Sequence, residues 1–170
     1  MDWPKVLRDQ YVRSVESPIG WYLKAQELMR AADLILVQIE KDEKEGGSHS
    51  LTSTYMLLSG LALENCIKGV AAIHGQLLDL SRMRMAFVGS RSGHSELELY
   101  LYDHVFLSDI EKDLFRRLSG YINKEGKYHV ERYFDEKDLG LKRSIYFSPN
   151  DPMNIREMYH MLTQYLLRSL

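Results

Sequence analysis

Arg156 and His160 stand four positions apart in the stretch REMYH, so on a helix they share one face, a turn apart. An arginine so placed can hold a phosphate with its planar fork of donors. A histidine beside it can pass a proton to or from a ribose hydroxyl or a leaving oxygen. Together the two types permit metal-independent cleavage of RNA. Gln164 and Arg168 continue the same row, which is also the pattern of an ordinary solvated face. A two-fold axis alongside such a helix would bring two of these pairs together.

A second polar group sits where the sequence is most apolar. In LALENCIKG, residues 61 to 69, Glu64, Asn65 and Lys68 interrupt a segment otherwise suited to burial. Glu64 precedes Lys68 by four, the favourable order for a helical ion pair. Buried, the two charges must be paired or hydrogen-bonded, because a lone charge costs several kcal/mol. Asn65 lies about 100° round the helix from Glu64 and must address another partner. This trio matches no catalytic signature, and a polar latch between helices is its expected role.

Arg116, Arg117, Lys127, Tyr128 and Arg132 form a third candidate, a phosphate-binding surface with an aromatic ring for stacking. Asp113, Glu125, Glu131, Asp135, Glu136 and Asp138 offset much of that charge. The histidines at 49, 74, 94, 104, 129 and 160 make no HExxH and no matched His/Cys spacing, so no metal is expected. GSRSG lacks the lysine and spacing of a nucleotide loop, and no other cofactor motif is present. Cys66 lies inside the apolar segment and reads as core rather than nucleophile.

The elements that must position these residues read as helices. Ser17-Pro18 gives an N-cap and a first-turn proline. Tyr22, Ala25, Met29, Ala32, Leu36 and Ile39 then trace one apolar stripe of a helix over 17–41. DEKEGGSHS reads as an exposed connection. A second helix over 51–74 carries Leu57, Leu58, Leu61, Ala62, Cys66, Ile67, Val70, Ala71 and Ile73 round much of its circumference, as a central helix must. Gly60 and Gly69 lower its helix propensity, and close approach by neighbouring helices would compensate. Gly75 suits its C-terminal cap. LLDLSRMRMAF admits a turn or two of helix. Ser95–Glu98 and Ser108–Glu111 each have the form of a capping box. The helix after Ser108 places Ile110, Leu114, Leu118 and Tyr121 on one side and ends near Gly126. KYHVERYF alternates but is charged and has no strand partner, so an extended loop is expected. Asp151-Pro152 repeats the cap-then-proline start, and Ile155, Tyr159, Leu162 and Leu166 form the last stripe.

With 170 residues, 45% apolar and 27% charged, the chain fits a single domain over 1–170 with a core of its own. A net charge of −2 gives no global field toward nucleic acid. One cysteine cannot close an internal disulfide, which suits a reducing cytoplasm. The opening MDWPKVLRDQ lacks an apolar run with a small-residue cleavage site, and no apolar stretch nears about 20 residues, so neither a signal peptide nor a membrane span is expected.

GLALENCIKGVAAIHG, GHSELELY and LSGYINKEGKYHVERYF, in that order, together resemble a bacterial branch of the HEPN family, the higher eukaryote and prokaryote nucleotide-binding domains. The resemblance covers most of residues 20–134. ALENCIKG is similar to the family's buried second helix, with Glu64 and Lys68 at its recurring acidic and basic positions. Gly126, Lys127 and Tyr128 match a glycine-basic-tyrosine core. The resemblance implies a compact all-helical domain, frequently dimeric. Its relatives include RNA-cleaving toxins, partners of nucleotidyltransferase-like proteins, and noncatalytic RNA-binding or assembly modules. Active relatives use an arginine, a polar residue and, after four to six intervening residues, a histidine. Here Arg156 and His160 have three residues between them.

The expectation is therefore an all-α, antiparallel four- to five-helix bundle of HEPN-like type. It acts as a noncatalytic or degenerate association module, a homodimer, with RNA or nucleotide contact. A metal-independent endoribonuclease of toxin or defence type, using Arg156 and His160 at a dimer interface, is the alternative. A structural partner of a nucleotidyltransferase-like protein is the third reading.

Overall fold

The computed structural model describes residues 3–46, 51–76, 78–79, 84–85, 107–122 and 147–169. These form a helical bundle with five helices among the described residues: α1 (Trp3–Val15), α2 (Pro18–Lys44), α3 (Thr52–Ile73), α4 (Asp109–Gly120) and α5 (Asp151–Arg168). Between α3 and α4, β1 (Leu78–Asp79) pairs antiparallel with β2 (Arg84–Met85). That small ladder stands where a turn of helix was expected. His49, the Ser95 capping box, His94, His104, His129 and residues 123–146 lie outside the described residues.

Local signals set the helix ends. Ser17 Oγ accepts from Gly20 N–H at 3.3 Å, and Pro18 occupies the first turn of α2. At α4, Ser108 Oγ accepts from Glu111 N–H while Glu111 Oε2 accepts from Ser108 N–H at 2.7 Å, the reciprocal box expected there. α3 stops at a glycine. Gly75 takes φ +65°, its N–H bonds Ala72 O at 3.0 Å, and Gln76 N–H bonds Ala71 O at 2.9 Å. The regular part of α4 runs to Gly120 and passes into a wider turn at 121–122; its expected end near Gly126 lies outside the described residues. Asp151 does not cap α5 as expected. Asn150 holds the cap position without a side-chain bond, and the Asp151 carboxylate accepts from Ser148 N–H at 2.8 Å.

α3 is the spine. Tyr55, Met56, Ala62, Leu63, Cys66, Ile67, Val70 and Ala71 are buried, so side chains on nearly every side of the helix contact neighbours. Leu57 and Leu61 are half-buried. Among the described residues α3 is also the helix long and apolar enough to cross a membrane, and most of that apolar surface is covered within the protein. Ala25, Met29, Ala32 and Ile39 of α2 and Ile155, Met158, Leu162 and Leu166 of α5 complete the core. Each fully buried large aliphatic side chain contributes about 1.5–3 kcal/mol. On α4, Leu114, Leu118 and Tyr121 are buried as expected, whereas Ile110 in its first turn is exposed and Phe115 is inside.

Two glycines permit close crossings. A Cβ on Gly69 would stand 2.8 Å from Leu166 Cδ2, and one on Gly60 would stand 3.0 Å from Ile122 Cδ1. The neighbouring residues also fix helix directions. Trp21, early in α2, lies against Lys68 and Gly69, late in α3. Leu36 and Ile39, late in α2, share a cleft with Thr52 at the start of α3. The two helices are therefore antiparallel. α5 instead runs with α3. Phe147 just before α5 meets Tyr55 edge-on at 6.1 Å between ring centroids, and Leu166 near its other end covers Gly69. The bundle is thus not uniformly antiparallel. A short loop enforces reversal only between consecutive helices, and α4 lies between α3 and α5 in the chain.

α1 carried no signal in the sequence reading. It is the least integrated helix, with Leu7 and Tyr11 exposed and Val15 alone among its described side chains buried. Trp21 Nε1–H donates to Val15 O at 2.7 Å and pins its end to α2.

Candidate functional site

The Arg156–His160 row lies on the outside of α5. Both side chains are exposed, Gln164 is half-buried and Arg168 is exposed. Arg156, 54% exposed, is nevertheless engaged: its Nη2 donates to Asp33 Oδ1 on α2. That bond ties α5 to α2 and sets a carboxylate beside the guanidinium. Asp33 was not identified as a partner in the sequence, because no spacing rule relates residues 33 and 156. Tyr159, next to His160, belongs to the contact with the core, and burial pushes its phenol up to about 12. It therefore holds its proton at ordinary pH.

The polar cluster of α3 is closed mainly within its own helix, with Lys68 reaching Trp21 of α2. Glu64 and Asn65 are buried. Lys68 Nζ lies 2.5 Å from Glu64 Oε1 and 5.4 Å from the centroid of the Trp21 ring. One ammonium thus pairs with one oxygen of a buried carboxylate and rests on an aromatic face, an arrangement stronger away from water than at the surface. Asn65 Nδ2 donates to Leu61 O at 2.6 Å on its own helix. The expected separate partner of Asn65 is therefore a backbone carbonyl one turn back. Cys66, fully covered between them, has its thiol pushed up to about 12 by burial. A thiol so protonated is a poor nucleophile.

The basic surface divides. Arg116 is exposed, with Asp113 at 3.8 Å. Arg117, its neighbour, points inward. Its Nη1 and Nη2 donate to Asp151 Oδ2 and Oδ1 at 2.6 and 2.8 Å, and its Nε donates to Asp113 Oδ2 at 3.0 Å. The bidentate bond to Asp151 raises the guanidinium pKa further, against the opposing cost of burial. Arg117 was expected on a phosphate-binding surface and instead joins α4 to the start of α5. The reason is periodicity: positions 114 and 118 face the core, and 117 falls beside them on the helix. Lys127, Tyr128 and Arg132 lie outside the described residues.

His74 caps α3, and its Nε2 lies 2.9 Å from Tyr165 Oη. It is a structural contact to α5. Tyr55 is buried where α3 meets Phe147, and burial raises its phenol to about 12, with the nearby Ser59 hydroxyl acting in the opposite direction. No protein-family model, no curated protein and no solved structure matches this chain.

Proposed function

We propose that this chain is a noncatalytic association module with a HEPN-like bundle, a homodimer that works by holding a partner rather than by cleaving one. The observation that carries this reading is the Arg156–Asp33 bond. The one arginine placed to work with His160 already has a carboxylate partner on another helix. Three features support the bundle type: a long α2, a sequestered α3, and an acidic–basic pair at Glu64 and Lys68 inside it. RNA or nucleotide contact, if made by this surface, falls to exposed cations such as Arg116, since Arg117 is committed internally.

Incubation with labelled single-stranded RNA in EDTA tests the reading. Wild type, Arg156→Ala and His160→Ala are expected to leave the RNA intact. Cleavage gained by Asp33→Asn, which releases Arg156, would show that this ion pair alone withholds activity. Cleavage by wild type that disappears in both Arg156→Ala and His160→Ala would establish the endoribonuclease alternative instead.

A further inference from the structure

α2 is apolar on two sides. Ala25, Met29, Ala32 and Ile39 face α3. Ile19, Leu23, Leu34 and Val37 form a second stripe, and at about 100° per residue it is centred roughly 150° from the first. All four are exposed, Leu34 to 74% and Val37 to 64%. Scattered surface leucines are ordinary, but four aligned on one helix face opposite the core are not explained by the fold.

The charges within the stripe say what covers it. Between its two apolar halves lie Glu27 and Arg30, both exposed. Set a second α2 antiparallel to the first, with the two-fold axis passing midway between positions 28 and 29. Leu23 then faces Leu34 of the other copy, twice by symmetry. Glu27 faces Arg30, also twice. Val37 comes over Gly20, which has no side chain to obstruct it, and beside Ile19. One register thus satisfies every member of the stripe. Glu27 now holds Lys24 at 2.9 Å, and a carboxylate has oxygen lone pairs left for an arginine. From Ile19 to Val37 the seam runs over about 27 Å, eighteen steps of about 1.5 Å each. Such self-complementarity defines an isologous contact.

We infer that the outer face of α2 is a homodimer interface, two copies antiparallel with Glu27 paired to Arg30 across the axis. This rests on the association reading and names the surface for it. Light scattering on charge variants tests it, with thermal melts to verify folding, which these exposed positions should leave unchanged. Glu27→Arg alone and Arg30→Glu alone each create two like-charge facings and are expected to raise the dimer dissociation constant roughly tenfold. An equimolar mixture of the two variants restores both pairs and is expected to dimerise as well as wild type. The double variant on one chain should do likewise. Leu34→Asp should give monomer. A wild-type dimer indifferent to all of these changes would overturn the α2 interface while leaving association intact. A monomeric wild type would overturn both. If it were also destabilised by Leu34→Asp, a segment of its own chain would be the occupant of the face.

Discussion

Arg117 and Asp151 make the sharpest claim about single residues. Both are buried and their bond is bidentate. Removing one partner strands the other's charge, so Arg117→Ala is expected to cost about 3–5 kcal/mol of unfolding free energy. Arg116→Ala, one residue away and exposed, should cost less than about 0.5 kcal/mol. Urea unfolding of the pair measures the contrast, and equal effects would contradict the placement of Arg117. Cys66 gives a pH dependence. The unfolded thiol ionises near its ordinary value of 9.0, while the buried one stays protonated to about 12. In that window the unfolded chain binds fewer protons, so stability falls as pH rises, by about 1.4 kcal/mol per unit at full slope. The loss should begin between pH 9.0 and 10.0, before the tyrosines with their ordinary value of 10.0 add to it. Cys66→Ala should flatten stability in that first unit, whatever it does to stability at pH 7. An unchanged slope would place the thiol in contact with water. Neither residue's role was equally visible in the sequence. Cys66 sits in the most apolar segment of the chain and reads as core, whereas Arg117 reads as surface, because its partner Asp151 is 34 positions away.

At the scale of elements, the glycines of α3 decide how closely its neighbours approach. Glycine to alanine in an exposed helix gains about 1 kcal/mol in propensity. At Gly69 the new methyl would meet the buried Leu166 at 2.8 Å, and overpacking of that kind costs about 1–3 kcal/mol. Gly69→Ala is therefore expected to be net destabilising by about 1 kcal/mol, and pairing it with Leu166→Val should recover part of the loss. Denaturant midpoints of the single and double variants check the coupling; an additive result would mean the two residues do not touch. Four of the five helices were legible because their signals are local: Ser17-Pro18, the Ser108–Glu111 box, Gly75, and stripes at helical spacing. α1 was not, since Leu7 and Tyr11 bury too little to leave a stripe. The direction of α5 was not legible either, because it depends on contacts between Phe147 and Tyr55 that no spacing encodes. Asp33, the partner of Arg156, was hidden for the same reason.

At the scale of the whole molecule, the core and the outer stripe of α2 are two uses of one helix. Reading the chain for one apolar face per helix finds Ala25, Met29, Ala32 and Ile39 and overlooks Ile19, Leu23, Leu34 and Val37 on the far side. A helix with two such faces belongs between two bodies, which we propose are the chain's own core and a second copy. Association then needs no catalytic residue, which is consistent with an Arg156 held by Asp33. Sedimentation equilibrium of the unmodified protein over a wide concentration range tests this most directly. A dimer of this kind gives a mass rising with concentration toward twice the chain's 19.9 kDa. A mass of 19.9 kDa at every concentration would contradict it.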